Sequence, residues 1–348
     1  MKNKKIGIIG AGIFGCSIAL ELCKDGHEVT IIEQDSDIML RATKNNHNRI
    51  HYGYHYPRSL DTANQSLNGL LSFMSNYGDA ILYGFENYYS IAKDNSLTSS
   101  SQFIEFCNLA GISFKSAYPD KHIMNPEMLS DSFLVEEPVY DWVKLQSIVK
   151  SRLNKSDIKV KLNTAYTNLS ETFDFIINCT YSNINSICKI AGLQEMSFHS
   201  QDVIIPIFES NIQRVGLTVM DGPFCSVMPK GFEEGKFLLY HAQYSVVEEK
   251  IGSPLDFNSS VERSIKIILN DAQKYFPFLK DSNVIDYWRT TRAIPENNDD
   301  GRVSEILTYE ENPNFITVFS GKVTTAVKIA KQIRIGLQTG DFNSNISI

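Results

Sequence analysis

Side chains that can transfer protons or bind anions crowd one segment of the chain, residues 47–59. His47, His51 and His55 follow one another at four-residue spacing, which would place them on one face of a helix and raises the hypothesis of a metal site. A glycine and a proline inside the segment argue against a stable helix, and no nearby cluster of Cys, Asp or Glu completes a ligand set. The segment therefore predicts no metal site. A solvated polar loop and a catalytic loop both stay open.

A second group of residues has the spacing of a phosphate-binding turn. Gly10, Gly12 and Gly15 form the pattern G-x-G-x-x-G between an apolar run that predicts a strand, residues 6–9, and a predicted helix. The first glycine permits a tight turn, the second lets the backbone approach a pyrophosphate, and the third lets the helix pack close to the strand. The helix N-terminus adds N–H groups and the positive end of its dipole. The pattern predicts a dinucleotide site.

Glu33 closes the second strand of this βαβ unit, predicted over residues 29–32. Its carboxylate can accept hydrogen bonds from both hydroxyls of a ribose, and it would repel a 2′-phosphate, so NADP is disfavoured. A secretory signal peptide is the alternative for this region, because three lysines precede the apolar run. However, glycines and charged residues interrupt the run, which continues directly into a strand, and this favours the βαβ interpretation.

Composition excludes several classes of function. The chain has 348 residues, of which 43% are hydrophobic, enough for one large or two medium domains with a sizeable core. Its net charge of -7 and pI near 5.6 argue against nucleic acid as a partner. No apolar run is long enough to predict a membrane span. Six cysteines without a C-x-x-C pair indicate buried thiols in a reducing cytoplasm.

The rest of the chain predicts alternating helices and strands. Helices are expected over residues 60–76, 101–110, 141–153 and 261–275, and at the C-terminus up to about residue 337. Strands are expected over residues 81–92, 158–162, 173–178, 284–291 and 315–319. Residues 120–138 read as rich in loops, and residues 203–244 as an antiparallel meander broken by glycine-containing turns.

Four segments together resemble a known family. They are residues 10–33, RIHYGYHY at 49–56, FDFIINCTYSN at 173–183 and SGKVTT at 320–325. In this order and spacing they resemble the FAD-dependent oxidoreductases of the D-amino-acid oxidase and glycine oxidase type. That group includes L-2-hydroxyglutarate oxidase and flavin-linked glycerol-3-phosphate dehydrogenase, and the last segment looks like the Gly-Gly-Lys-Leu-Thr-Thr of the glycerol phosphate enzymes.

The sequence departs from the family pattern at three places. Tyr181 stands where glycine is common, and Tyr52 stands at the first glycine of the loop that passes over the flavin. Near the C-terminus the usual Arg-Pro and Thr-Pro-Asp-Gly are replaced by residues 289–295, RTTRAIP, followed by Asp300-Gly301. The closest similarity there is to the Val-Arg-Ala of 2-hydroxy acid oxidases, so the substrate is less defined than the cofactor.

The resemblance implies an α/β fold with two interleaved domains. A Rossmann-like FAD-binding domain with a parallel central sheet is expected from residues 1–75, 142–195 and 300–348. An α+β substrate domain built on a mixed or antiparallel sheet is expected from residues 76–141 and 196–299.

The resemblance also implies FAD as the cofactor. The residues expected to bind it are Gly10, Gly12, Ile13, Phe14, Gly15, Glu33, Gln34, Arg41, Asn48, Arg49, Ile50, His51, Thr180, Gly321, Lys322, Val323 and Thr324. Lys322 is expected either at the N1/O2 edge of the flavin or simply at the start of the last helix.

Three residues are the catalytic candidates. Arg292, expected in a loop just after a strand, would clamp an anionic substrate, since guanidinium binds carboxylate through two parallel hydrogen bonds; a surface ion pair is the alternative. His51 would act as a base or hydrogen-bond donor, or only pack against the flavin, or bind it covalently. Tyr240 lies on the meander that covers the substrate in the family, and strand alternation predicts Tyr244 on its side and His241 opposite.

The leading hypothesis is an FAD-dependent oxidase or dehydrogenase. It would oxidise a CH–OH or CH–NH bond of a small anionic substrate by hydride transfer to flavin N5, and pass the electrons to oxygen or another acceptor. An NAD-dependent dehydrogenase is the first alternative, and it predicts further strands soon after residue 33. A flavin-binding biosynthetic partner protein without oxidase activity is the second. We expect a cytoplasmic protein that does not bind nucleic acid and has no membrane span.

Overall fold

A computed structural model describes residues 3–168, 171–252, 255, 257, 259–296 and 303–342. The strands are β1 (Lys5–Ile9), β2 (Glu28–Ile32), β3 (Ile81–Leu82), β4 (Glu86–Ala92), β5 (Phe114–Ser116), β6 (Leu129–Val135), β7 (Val139–Tyr140), β8 (Lys159–Lys161), β9 (Phe175–Asn178), β10 (Phe198–Glu209), β11 (Val215–Met220), β12 (Cys225–Pro229), β13 (Lys236–His241), β14 (Val246–Ile251), β15 (Asn283–Pro295), β16 (Glu305–Thr308) and β17 (Phe315–Phe319). The α-helices are α1 (Ile13–Cys23), α2 (Leu60–Tyr77), α3 (Ser100–Ala110), α4 (Trp142–Asn154), α5 (Ile184–Ile190), α6 (Val261–Tyr275) and α7 (Ala326–Thr339). Asp300-Gly301 lies outside the described residues.

The first sheet grows from the apolar βαβ unit at the start of the chain. In the described residues its strand order is β16-β17-β9-β1-β2-β8. All neighbours are parallel except β16, which runs antiparallel to β17. Its central strands read as unbroken apolar runs because helices cover the sheet, and α1 packs with α4 and α7 into one core with it. The predicted parallel sheet is present.

The second sheet is mixed. Its order is β14-β10-β13-β12-β11-β4-β6-β5 in the described chain, with β15 paired to β10. The predicted meander is confirmed for β11, β12 and β13, which pair antiparallel in sequence order. β10 lies beside β13 instead of β11, so the meander does not include residues 203–209. β11 also pairs in parallel with β4.

The expectation that residues 120–138 are mostly loop is wrong, because β6 lies there. β6 pairs with β4 on one side and β5 on the other. Its sequence, LSDSFLV, carries polar residues that conceal the alternation of a strand. Ser132 is nevertheless buried, and its hydroxyl lies 2.7 Å from the hydroxyl of Ser90 on β4. Cross-strand hydroxyl pairs of this kind stabilise a sheet without an apolar pattern.

Two further expectations need correction. β15 extends to Pro295, so Arg292 lies within a strand and not in a loop after it. The sequence predicts a strand only up to residue 291, yet β15 pairs with β10 along its whole length. Tyr244 does not share a face with Tyr240, because β13 ends at His241 and the chain turns. The ring of Tyr244 instead packs 4.5 Å from that of His241.

The predicted fold class is confirmed: an α/β sheet domain is combined with an α+β region on a mixed sheet. The two sheets take their strands from alternating stretches of the chain, as expected for interleaved domains. The boundaries 1–75, 142–195 and 300–348 stay a prediction. Within the described residues, no helix is both long and apolar enough to cross a bilayer.

Candidate cofactor and substrate site

A cavity of about 630 Å³ opens at the carboxyl ends of β1, β2, β9 and β17. Residues of the second sheet, from β10, β12, β13 and β15, form its other side. Open α/β sheets bind their ligands outside the carboxyl ends of the strands, and the volume lies in the usual range for a ligand pocket. Both sheets therefore contribute to one site.

The glycine turn forms one end of this cavity. Gly10 has a φ of +97°, which disfavours any residue with a side chain, and its N–H donates to Ile32 O at 2.8 Å. A Cβ on Gly15 would lie 2.0 Å from Gly10 O, so only glycine lets α1 approach β1. Gly15 itself does not line the cavity, whereas Gly12, Ile13 and Phe14 do.

The N-terminus of α1 is suited to a pyrophosphate. The N-cap residue, Gly12, has no side chain that could cap the helix, Ile13 N donates to Thr43 Oγ1 at 3.2 Å, and the first turn contains no acidic residue. A Cβ on Gly12 would meet only Thr43 Oγ1, at 3.5 Å, so the protein leaves the wall of the cavity open there. Backbone N–H groups and the helix dipole attract an anion at such a position. The residues present therefore fit the phosphates of a dinucleotide.

Glu33 is held rigidly beside this turn. Its Oε2 accepts from Ala11 N at 2.7 Å, and its Oε1 accepts from Asp35 N at 3.0 Å. Each carboxylate oxygen can accept a second hydrogen bond, and Glu33 lines the cavity, as a ribose contact requires. Gln34 and Arg41 also line the cavity. Arg41 pairs with Asp35 through Nε at 2.6 Å and Nη2 at 2.7 Å, so its charge is already compensated by an acid.

The loop after residue 46 alternates between the cavity and the core. His47, Arg49 and His51 line the cavity, whereas Asn48 and Ile50 do not. Ile50 is buried in the core of the first sheet, and the buried Asn48 amide has no hydrogen-bond partner among the described residues. Asn48 has a φ of +53°, so the backbone is not regularly extended here, and the contacts of Asn48 and Ile50 with the cofactor stay a prediction.

A buried ion pair lies beneath the loop. Arg49 Nη1 donates to Glu137 Oε2 at 3.1 Å, to Tyr89 OH at 2.5 Å and to Thr218 Oγ1 at 2.9 Å. Tyr89 OH donates to the same carboxylate oxygen at 2.5 Å. Burial alone would raise the pKa of Glu137, but the nearby His51 ring and the charge of Arg49 lower it to about 2. Glu137 is therefore a fixed, ionised carboxylate.

Sequence reasoning missed Glu137. It follows β6 in the sequence Glu136-Glu137-Pro138, which reads as a solvated loop. Backbone contacts between distant segments bring it beside Arg49: Arg49 forms an isolated antiparallel bridge with Val139, and Ile50 N donates to Pro138 O at 2.9 Å. No local pattern distinguishes it from Glu136, whose side chain is exposed.

The three histidines of the segment all line the cavity but differ in environment. Burial lowers the pKa of His47 to about 3, and its Nε2 lies 3.0 Å from Leu238 O, so it is a neutral donor. His51 Nδ1 lies 3.7 Å from Glu137 Oε1. The His55 ring is 5.8 Å from that of His51. The segment is not helical, and no group of potential ligands that could hold a metal ion occurs among the described residues.

The loop after β9 connects the two sheets. Thr180 lines the cavity, and its hydroxyl donates to Asn178 Oδ1 at 2.6 Å. Tyr181 has a φ of +55°, which explains why glycine is common at this position in the family. Its hydroxyl accepts from Ala293 N at 3.0 Å, one residue from Arg292 on β15. The departure from glycine thus adds a contact between the sheets.

The segment before α7 completes the first side of the cavity. Gly321, Lys322, Val323 and Thr324 all line it. The Lys322 ammonium is buried, donates to Ser66 Oγ on α2 and lies 4.0 Å from the centroid of the Tyr56 ring. Its partners on α2 show that it does more than start the last helix, and its contact with the flavin stays a prediction.

Two arginines of β15 reach the cavity with different partners. Arg289 pairs with the buried Asp202, with Nη2 2.6 Å from Oδ2. Arg292 Nε donates to Gln201 Oε1 at 3.0 Å, and its Nη1 donates to Tyr240 OH at 2.7 Å. Both partners of Arg292 in the described chain are neutral, so its positive charge is not compensated by a carboxylate. Tyr240 lines the cavity beside it.

These features together fit a dinucleotide-binding site between two sheets. A family model described as FAD dependent oxidoreductase, DAO, matches residues 5–129. The chain is 25% identical over 364 residues to the FAD-dependent monooxygenase kojA of Aspergillus flavus, with 94% of this chain and 84% of that protein covered.

Solved structures share the fold. Glycine oxidase from Geobacillus kaustophilus is similar with a TM-score of 0.74 at 12% identity, covering 100% of this chain and 98% of that chain. L-alpha-glycerophosphate oxidase from Mycoplasma pneumoniae with FAD bound is similar with a TM-score of 0.76 at 16% identity, covering 97% and 95%. Over residues 5–129 the chain is similar to the FAD-dependent oxidoreductases of the D-amino-acid oxidase type; the protein is an FAD-dependent oxidoreductase, and its cofactor is FAD. The NAD-dependent alternative is therefore not retained.

Proposed function

We propose that this protein oxidises a CH–OH or CH–NH bond of a small anionic compound, with a 2-hydroxy acid as the expected substrate class. Arg292 would bind the anionic group, His51 would take a proton from the reacting group, and Tyr240 would orient the arginine. Bound FAD would supply the two-electron acceptor for the C–H bond. Oxygen or another acceptor would then reoxidise it.

The observation that carries the proposal is the difference between the two arginines. Arg289 already has a buried carboxylate partner in Asp202, so a substrate anion would have to compete with an existing ion pair. Arg292 is held by an amide and a phenol, which fix the guanidinium plane without compensating its charge. A fixed guanidinium beside a cavity, with no carboxylate partner, can bind the carboxylate of a substrate. It would also attract a phosphate or another anionic group.

His51 favours an alcohol over an amine as the reacting group. An alcohol must lose its hydroxyl proton as the C–H bond breaks, whereas a neutral amine does not need a base. Burial lowers the pKa of His51, an effect that Glu137 partly offsets, so the ring is neutral and able to accept a proton at neutral pH. If His51 does not act as a base, oxidation of a CH–NH bond is the remaining reaction. The experiment below separates alcohol substrates from amine substrates.

The test is anaerobic reduction of the bound flavin by 2-hydroxy acids, amino acids, secondary amines and glycerol 3-phosphate. We expect 2-hydroxy acids to bleach the flavin absorbance. Arg292→Lys keeps the charge but loses the planar fork, so the KM for the substrate should rise by about 10- to 100-fold while FAD content stays unchanged.

Arg289→Lys is the matched variant. It makes the same change on the same strand, but in an arginine that already has an acidic partner, so a smaller increase in KM is expected. A larger increase in Arg289→Lys than in Arg292→Lys would move the clamp to Arg289. If no compound of the panel reduces the flavin, the proposed substrate class is wrong, and a partner protein without oxidase activity becomes the better hypothesis.

A further inference from the structure

The Glu137 carboxylate is a charged group beneath the loop to which the proposed reaction gives no role. It is fully buried, which is costly for an ion unless its position is set by several partners. Its Oε2 accepts from Arg49 Nη1 and Tyr89 OH, and its Oε1 accepts from Tyr52 N at 3.1 Å. Its own main chain is also held, since Glu137 O accepts from Asn87 Nδ2 at 2.9 Å.

The carboxylate faces one nitrogen of the His51 ring. His51 Nδ1 is buried and lies 3.7 Å from Glu137 Oε1, and it has no hydrogen-bond partner among the described residues. A lone pair directed at a carboxylate is repelled, whereas an N–H is attracted, so the neutral ring carries its proton on Nδ1. The lone pair is then on Nε2. His51 is partly exposed and lines the cavity, so this nitrogen is the one that can serve the substrate.

We propose that Glu137 is a positioning residue that holds His51 in the Nδ1-protonated tautomer and thereby makes its Nε2 the proton acceptor of the reaction. The catalytic role of this acceptor rests on the function proposed above. In the step, the bond between the substrate oxygen and its proton breaks, the proton forms a bond with Nε2, and the ring becomes an imidazolium that Glu137 stabilises. The two electrons of the C–H bond leave with its hydrogen to the oxidant of the enzyme, FAD.

Other charged and titratable groups surround the His51 ring and also affect its protonation. Arg49 and Lys322 disfavour the imidazolium electrostatically, and His47 lies on the same loop. The rings of His55 and Tyr56 pack 5.8 and 5.7 Å from that of His51. Glu137 is the acidic side chain that offsets this positive surrounding, so its charge sets the basicity of His51.

The test follows the imidazole nitrogens of the holoenzyme, labelled with ¹⁵N-histidine, by NMR across pH. The His51 signal is assigned by its loss in His51→Gln. We expect the Nδ1–H tautomer in the wild type. In Glu137→Gln the His51 pKa should fall by about 1–3 units, because an opposite charge at this distance is removed. The acidic limb of kcat/KM should move to lower pH by the same amount, with kcat about 10²- to 10⁴-fold lower.

Glu136→Gln is the matched control. It makes the same chemical change at the neighbouring, exposed residue and should leave both the tautomer and the pKa of His51 unchanged. If Glu137→Gln fails to fold because Arg49 loses its acidic partner, the tautomer of His51 in the wild type tests the proposal by itself. An Nε2–H tautomer of wild-type His51, or an unchanged pKa in folded Glu137→Gln, overturns the proposal. If both NMR results are as expected but no hydroxy acid reduces the flavin, the proposed substrate class fails while the role of Glu137 in setting the His51 tautomer stands.

Discussion

At the scale of single residues, the partner of a side chain decides what that side chain can do. Glu33 and Glu137 are both acidic, and both are bound by backbone N–H groups. Glu33 has no basic side chain among its hydrogen-bond partners in the described chain and lines the cavity, so it can bind a ligand hydroxyl. Glu137 is buried against Arg49 and acts on the site through another residue. Residue type alone would have given them the same role.

Replacing Glu33 by Ala should sharply reduce FAD retention. The change would remove the two charge-assisted hydrogen bonds that the sequence predicts to the ribose, each contributing about 1.5–3 kcal/mol, and it removes the hydrogen bond from Ala11 N that orders the turn. The measurement is the ratio of flavin to protein absorbance after purification. Glu28→Ala is the control, because Glu28 lies at the exposed, opposite end of the same strand. Unchanged FAD content in Glu33→Ala would contradict the role of this carboxylate.

At the scale of elements, close packing of α1 on β1 positions the glycine turn, where the phosphates of FAD are predicted to bind. Gly15→Ala introduces a methyl group 2.0 Å from Gly10 O, so the helix must move away from the strand. We expect a loss of about 1–3 kcal/mol in the free energy of unfolding, the usual cost of overpacking, together with weaker FAD binding. The urea midpoint and a titration with FAD measure the two effects.

Gly78→Ala is the matched control for that substitution. A Cβ there would meet no atom within 4 Å, and its φ of -51° is suitable for alanine. The control should therefore be neutral or more stable by about 0.4–1 kcal/mol, since alanine has less freedom in the unfolded chain. If Gly15→Ala and Gly78→Ala are equally stable, the helix moves away from the strand at Gly15 without a loss in the free energy of unfolding, which contradicts the prediction.

At the scale of the whole molecule, the cavity lies between the two sheets and is lined by both. A ligand there bridges the turn at Gly10 and the second sheet around Tyr240. Binding to the folded state alone stabilises a protein by mass action. The Tyr181 hydroxyl, which accepts from Ala293 N, also couples the loop after β9 to β15.

Removal of FAD should therefore lower the thermal stability of the entire molecule. Adding FAD back at about 100 times its Kd should restore about 2.7 kcal/mol, and the unfolding temperature should rise with FAD concentration in one transition. NAD and NADP at the same concentration are the controls and should produce no shift. Stabilisation by NAD equal to that by FAD would mean that the cavity selects only the shared adenosine diphosphate portion.

Local sequence patterns were sufficient to predict the βαβ unit and several helices of this protein. The G-x-G-x-x-G turn, the apolar strand before it and the acid at residue 33 are close in sequence, and their physical roles depend on a continuous βαβ unit. The structure contains this unit, with strands at 5–9 and 28–32. The helices over 60–77, 142–154 and 261–275 follow the same logic, since an apolar stripe repeats within each turn.

Only the tertiary structure decided the second sheet and the partners of the site residues, because both depend on contacts between segments that are distant in the sequence. β6 and the end of β15 carry polar residues, and they are strands because β4 and β10 supply their hydrogen-bond partners. The bridge between Arg49 and Val139 brings Glu137 close to His51, and the pairing of β10 with β15 puts Gln201 beside Arg292. Whether an arginine is neutralised or available for a substrate, and whether a histidine has a carboxylate behind it, depends on neighbours that no local spacing specifies.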